Sequence, residues 1–244
     1  MFLKSSGGAM RNIDKNLWVN ETQFRLFGAE FGNRMTVIRL ENNELLIHSP
    51  TKLDGSIVKE VSELGKVSYI VTPNNFHGLF AEEWCNAFKG AKYFSAKGDV
   101  KESRPIEDLA IEIESSGVEI IRIEGADKVN EYAFFHKATS SLILTDMAFN
   151  IPSSVPLWSK VFFSLNGSLG KFGPSRLMKS MITDQQALQG SIDQILLRDI
   201  ERIIVSHGDI VESKARETMK AAFSWLSASV QTKSESKFNF SSCG

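Results

Sequence analysis

The chain is short of most of the side chains that announce a function. Of 244 residues only two are cysteine, Cys85 and Cys243. One such pair makes neither a disulfide framework nor a cysteine metal cluster, and it fits a reducing compartment. Cys243 also lies too close to the end for a prenylation box. No lysine- or arginine-rich block interrupts the sequence, and 28 basic against 29 acidic residues leave a net charge of -1. That excludes the electrostatic footprint of a nucleic-acid or anionic-membrane binder. No apolar run is long enough to span a bilayer. The start, MFLKSSGGAM, lacks the apolar stretch of a secretory signal. The expected location is therefore cytoplasmic. The G-x-S-x-G elbow of a serine hydrolase is missing, as is any flavin motif.

Enough apolar residue is present to build a core. Hydrophobic residues make up 42% and charged residues 23%, the balance of a soluble globular protein. Residues 1–14 read as a flexible lead-in, 15–230 as one domain, and 231–244 as a disordered tail. Short β-rich runs open the domain: LWVN at 17, QFRLFG at 23, RMTVIRL at 34 and ELLIHS at 44. Leu53, Ile57, Val58, Val61 and Leu64 then recur at helical spacing, with Thr51 or Asp54 to cap the start. VSYIVT (67–72) reads as a buried parallel strand, residues 79–88 as a helix and AKYFSA (91–96) as a strand. An acidic segment, 99–116, reads as loose. VEIIRIEG, EYAFFHKA and SSLILTD read as three further strands. Short helices and a mobile loop around NGSLGKFGPS are expected between Pro152 and Gly190. A helix over 187–200, the strand in ERIIVSHG and a helix over 213–230 close the domain. The rhythm suggests two similar β-rich halves packed face to face, an α/β (α+β) arrangement with helices outside.

There are four histidines: His48, His77, His136 and His207. Each falls at or just after the C-terminal end of an expected strand, and Asp146 closes SSLILTD in the same way. Open α/β sheets carry their sites at such ends. Imidazole nitrogen and carboxylate oxygen are ligands of zinc and iron centres, and a catalytic zinc needs about three protein ligands. The inventory suffices for one centre and is thin for two. Taken singly, each residue is more at home as a hydrogen-bonded turn histidine or a capping aspartate than as a ligand. The coincidence of all five carries the reading.

The order of these pieces resembles the metallo-β-lactamase superfamily, over about residues 15–230. In particular, NLWV, RMTVIRL, LIHSP, VTPNNFH, FGPSRL and IVSHGD are similar to one uncharacterised, domain-of-unknown-function branch of it. The resemblance implies a four-layer αββα sandwich with a metal site at the strand ends. The superfamily's first signature is T-H-x-H-x-D-H. Here Thr72 is followed by Pro73, Asn74, Asn75 and Phe76 before His77, so two histidine ligands are absent. His77 lies on the signature's Asp or, with a one-residue gap, on its last His. The three-histidine centre is thereby depleted, and the resemblance leaves a second centre with His77, Asp146 and His207. His136 matches the superfamily's intermediate His in order and setting.

Two classes of function fit these residues. The first is a mononuclear metal-dependent hydrolase of an ester, lactone or phosphoester. His77, His136, Asp146 and His207 are its metal ligands, Asp146 its ligand or base, and His48 a group that orients a ligand or replaces one. Asp209 is a further candidate to orient an imidazole. The cofactor would be one divalent metal, zinc, iron or manganese, and the partner a small molecule. Trp158, Phe162, Phe163 and Phe172 would wall the substrate site or fill the core. Lys171, Arg176 and Lys179 would attract an anion or lie on the solvated surface. The second class is a degenerate fold without metal or catalysis, serving as a ligand- or partner-binding module.

Overall fold

The computed structural model describes residues 8–97 and 102–227. The first half contains β1 (Arg11–Asp14), β2 (Leu17–Thr22), β3 (Arg25–Leu26), β4 (Ala29–Glu30), β5 (Asn33–Arg39) and β6 (Leu45–His48). It continues with α1 (Gly55–Leu64), β7 (Val67–Thr72), α2 (Ala81–Ala87), β8 (Lys92–Ser95) and α3 (Ile106–Glu112). The second half holds β9 (Val118–Arg122), β10 (Tyr132–His136), β11 (Ser141–Leu144), β12 (Phe149–Asn150), α4 (Leu157–Leu165) and β13 (Phe172–Gly173). It ends with α5 (Arg176–Ser180), α6 (Gln185–Leu196), β14 (Arg202–Val205) and α7 (Ala215–Phe223). The tail expected to be disordered, 231–244, lies outside the described residues. The expected lead-in is shorter than 1–14, because Arg11–Asp14 pairs antiparallel with β2.

Two sheets face each other. One is six-stranded, in the order β1-β2-β5-β6-β7-β8, and the other four-stranded, β14-β11-β10-β9. Period-two alternation sorts their side chains between two faces. Leu17, Val19, Ile38, Leu46, Val71, Phe134, Ile143 and Ile204 meet in the core between the sheets. Met35, Val37, Ile47 and Ile70 point the other way, onto Ile57 and Val61 of α1 and Trp84 of α2. Phe135, Leu142, Ile203 and Val205 cover the outer face of the second sheet under Leu188 and Ile192 of α6 and Met219 and Phe223 of α7. The result is the four-layer αββα sandwich.

Two local expectations fail. The acidic segment contains α3, whose Ile106 and Leu109 are buried with Ile113 at the edge of the inter-sheet core. Those three fall on one helical stripe, but Glu107, Asp108 and Glu112 between them dilute it. The stretch expected to be a mobile loop is tied down. Phe172–Gly173 pairs with Phe149–Asn150, and the Gly170 amide donates to the Ile151 carbonyl at 2.7 Å.

Strand direction, more than strand order, decides which side chains can meet. β6, β7 and β8 are mutually parallel, and β11 is parallel to β14. Their C-terminal ends deliver His77, Asp146 and His207. β10 instead runs antiparallel to β11, with His136 opposite Ser141. The C-terminal end of β10 therefore lies at the start of β11, at the other end of the sheet.

His48 ends β6 with its ring in the inter-sheet core, edge-on to Phe134 at 4.8 Å between ring centres. Neither ring nitrogen has a hydrogen-bond partner. Burial, aided by the charge of His77, pushes its pKa down from 6.5 to about 3. Between those values the unfolded chain binds the proton and the folded chain does not, so stability falls as pH drops below about 6.5. Relative to His48→Leu, the wild type should lose roughly 2 kcal/mol between pH 7.5 and pH 5. Urea unfolding of both proteins at the two pH values checks this; equal acid sensitivity would refute it.

Candidate metal centre

Three chain segments meet at one end of the sandwich. His77 comes from the loop after β7, Asp146 follows β11, and His207 follows β14. All three are buried, and one donor atom from each lies within 4.8 Å of the others. The carboxylate of Asp146 sits between the rings. Its Oδ2 is 3.2 Å from His77 Nε2, and its Oδ1 is 3.4 Å from His207 Nε2.

The far nitrogens of both rings are held by groups that sequence reading did not single out. His207 Nδ1 donates to the Gly32 carbonyl at 2.7 Å, since that oxygen can only accept. His77 Nδ1 meets Ser49 Oγ at 2.6 Å. Ser49 occupies the left-handed region, with φ 55°, where few non-glycine residues sit. Backbone strain of this kind concentrates at functional sites. Gly208, next to His207, is constrained more tightly. It has φ +95°, and a Cβ there would lie 2.1 Å from the Asn150 carbonyl oxygen. No side chain fits, which explains the glycine that follows His207.

Asn74 builds the support beneath. Its amide nitrogen donates to Asp146 Oδ2 at 2.8 Å and to Thr145 Oγ1 at 2.9 Å. Its carbonyl oxygen accepts the backbone N–H of Phe76 and His77, at 2.9 and 3.0 Å. One side chain thus fixes the loop carrying His77 and the carboxylate facing it. Glu131, fully buried, lies one layer deeper. It accepts the backbone N–H groups of Thr145, Asp146 and Met147 at 2.8 to 2.9 Å, and the Asn74 amide at 3.3 Å. Burial and the neighbouring Asp146 charge raise its pKa. Its position as the first residue of an expected strand gave no signal of this role.

Asp146 responds oppositely. Burial would raise its pKa, but the charge of His77 and the hydrogen bonds of both imidazoles outweigh burial and hold it far below the usual carboxylate range. Burial alone would lower His77, and Asp146 lifts it instead.

The donor set fits a metal ion. With its Nδ1 proton committed to Gly32, His207 turns Nε2 toward a carboxylate oxygen 3.4 Å away. Two electron-rich atoms so placed repel unless a proton or a cation lies between them. Two imidazoles and a carboxylate are also a ligand trio that leaves a fourth position open.

The other sequence candidates lie elsewhere. His136, a predicted ligand, bonds Thr139 Oγ1 through Nδ1 at 2.8 Å, in a cluster with Ser141 and Arg202 at the opposite end of the strand. His48 is sealed in the core, and its neighbour Ser49 makes the orienting contact. Asp209 is exposed and meets Asn150 only through its backbone. Phe162 and Phe163 line a cleft of about 300 Å³ that opens above His77, Asp146 and His207, whereas Trp158 and Phe172 do not. Lys171, Arg176 and Lys179 do not line it either.

Comparisons with solved structures agree with the fold. A metallo-β-lactamase from Erythrobacter litoralis superposes with a TM-score of 0.61 at 10% identity, covering 91% of this chain and 98% of its own. One from Hirschia baltica gives 0.57 at 12%, covering 91% and 98%. The metal-soaked flavodiiron core of Flv1 from Synechocystis sp. PCC6803 gives 0.58 at 10%, covering 90% of this chain and 60% of that one. The chain therefore has a metallo-β-lactamase-like fold. Within it, residues 14–107 match the model of a domain of unknown function, DUF4336. Curated proteins gave no match. No described helix is long and apolar enough to cross a membrane.

Removing Glu131 strands three backbone donors, the amides of Thr145, Asp146 and Met147, in a dry interior. Glu131→Ala should lower unfolding free energy by at least about 3 kcal/mol, and Glu131→Gln, which keeps an acceptor oxygen, by clearly less. Denaturant titration of both variants measures the difference; equal losses would contradict the role given to the carboxylate.

Proposed function

We propose that the protein is a mononuclear metal-dependent hydrolase acting on an ester, lactone or phosphoester bond. The observation that carries this reading is the orientation of His77 and His207. Each Nδ1 is engaged from behind, and each Nε2 faces one oxygen of Asp146. Such outer partners fix the tautomer and aim of metal-ligating imidazoles. His77, Asp146 and His207 would hold the ion. Bound there, a divalent metal supplies Lewis-acid polarisation and lowers the pKa of water toward neutrality.

The protein's own share is positioning. Asn74 and Glu131 hold Asp146 rigid, and the apolar cleft wall limits access of bulk water. Asp146 serves as a ligand rather than a general base, because each of its oxygens already faces an imidazole. Asn74 occupies the stretch where the superfamily signature has histidines, and its amide nitrogen is spent on Asp146. Its carbonyl is spent on two backbone amides. That supports one ion rather than two.

Metal analysis of untagged protein by plasma mass spectrometry tests the reading. Near one equivalent of zinc, iron or manganese is expected in the wild type and in His136→Ala, and less than a tenth of that in His207→Ala. No metal in any of the three, even after incubation with each ion, would reject the hydrolase and leave a binding module. Two equivalents would reject the single-ion centre.

A further inference from the structure

The cleft over the candidate centre is lopsided in its chemistry. Its walls are Phe24, Phe31, Phe149, Phe162, Phe163 and Met181, and its only ionisable groups among the described residues are His77, Asp146 and His207. No described lysine or arginine lines it. Two of the three cations expected to attract an anion are engaged elsewhere. Arg176 donates to the Leu165 carbonyl at 3.0 Å, and Lys179 stands 4.5 Å from the ring centre of Trp225. An anionic group on a ligand, away from the reacting bond, would be desolvated here without a counter-charge, at a large cost.

The mouth is apolar as well. Phe27, Leu79 and Leu177 line it while remaining 75%, 68% and 55% exposed. Phe27 carries a second, independent sign. With Gly28 it forms the two-residue loop between β3 and β4, and both residues have positive φ, 51° and 78°. Such hairpin loops favour Asn-Gly or Asp-Gly. An aromatic residue in the first position is strained, and strain of this kind is tolerated where a side chain has a task. The strained turn sets Phe27 at the mouth, stacked against Phe162 of the wall at 6.5 Å.

We infer that the cleft takes a neutral, elongated apolar substrate, with its reacting carbonyl over His77, Asp146 and His207 and its chain along the Phe162 wall under Phe27. The inference rests on the hydrolase reading and narrows it to neutral esters or lactones. Substrates with an anionic group away from the reacting bond find no counter-charge.

Methyl ketones, which hydrolysis cannot consume, serve as probes from 2-butanone to 2-nonanone. Isothermal titration uses the full chain, both zinc-loaded and metal-free, with zinc measured on the same samples. Affinity should rise by up to about fourfold for each added methylene. On the metal-free protein, octanoate and octyl phosphate should bind no more tightly than the ketone of equal length. Phe27→Asn suits the turn better than the native residue, so it should fold as well or better while weakening 2-nonanone at least fivefold. Leu177→Asn should weaken it without changing zinc content. A flat chain-length series, or octyl phosphate binding the metal-free protein tenfold more tightly than the ketone, would overturn the inference. The walls hold no metal ligand, so the slope should persist in the metal-free protein. A slope without zinc binding would sink only the hydrolase reading; zinc binding without a slope would sink only this one.

Discussion

The carboxamide of Asn74 is the joint on which the site end of the molecule depends. A buried amide has two donor hydrogens and an acceptor oxygen, and each must be satisfied. Here the donors reach Thr145, Asp146 and, at longer range, Glu131, while the oxygen holds the amides of Phe76 and His77. Two loops from different sheets are locked by one planar group. The backbone adds two more ties, from Asn75 to the Val129 carbonyl and from Tyr132 to the Pro73 carbonyl, both 2.9 Å. Loss of this joint would free both the His77 loop and the carboxylate, so their geometry is a single property.

Glu131 gives the joint its rigidity. Three successive backbone amides converge on one carboxylate, as at an anion-binding nest. The turn carrying Asp146 cannot shift without stranding at least one of them. The Asp146 carboxylate, which lines the cleft, thus rests on a structural carboxylate beneath it. The lower acid is pushed toward protonation and the upper one kept ionised, because only the upper one faces imidazoles.

Much of this was legible in the sequence, for physical reasons that can be named. Period-two runs bounded by turn residues marked β2, β5, β7, β10 and β11, and helical spacing marked α1. Their order led to the sandwich. The gathering of His77, Asp146 and His207 followed from their places after strands. His136 misled because a strand's C-terminal end says nothing of its direction, and β10 is antiparallel. His48 misled because alternation turned its ring inward while the next residue, Ser49, turned out to the site. Glu131 and Gly32 carried no signal, since one acts through backbone amides and the other through its own carbonyl. Helix α3 was hidden by its acidic outer face.

The trio also straddles the join between the two sheets. His77 belongs to the half built on the six-stranded sheet, while Asp146 and His207 belong to the other. Nearby, Arg34 of the first sheet reaches across to the carbonyls of Val205 and Gly208, the latter at 2.6 Å. An ion bound between the imidazoles and the carboxylate would act as a clasp. Its binding energy would be released only when both halves are in register, so it would add directly to the stability of the closed sandwich. Opening this end of the sandwich would then empty the site, and Arg34 is a second tie across the same join.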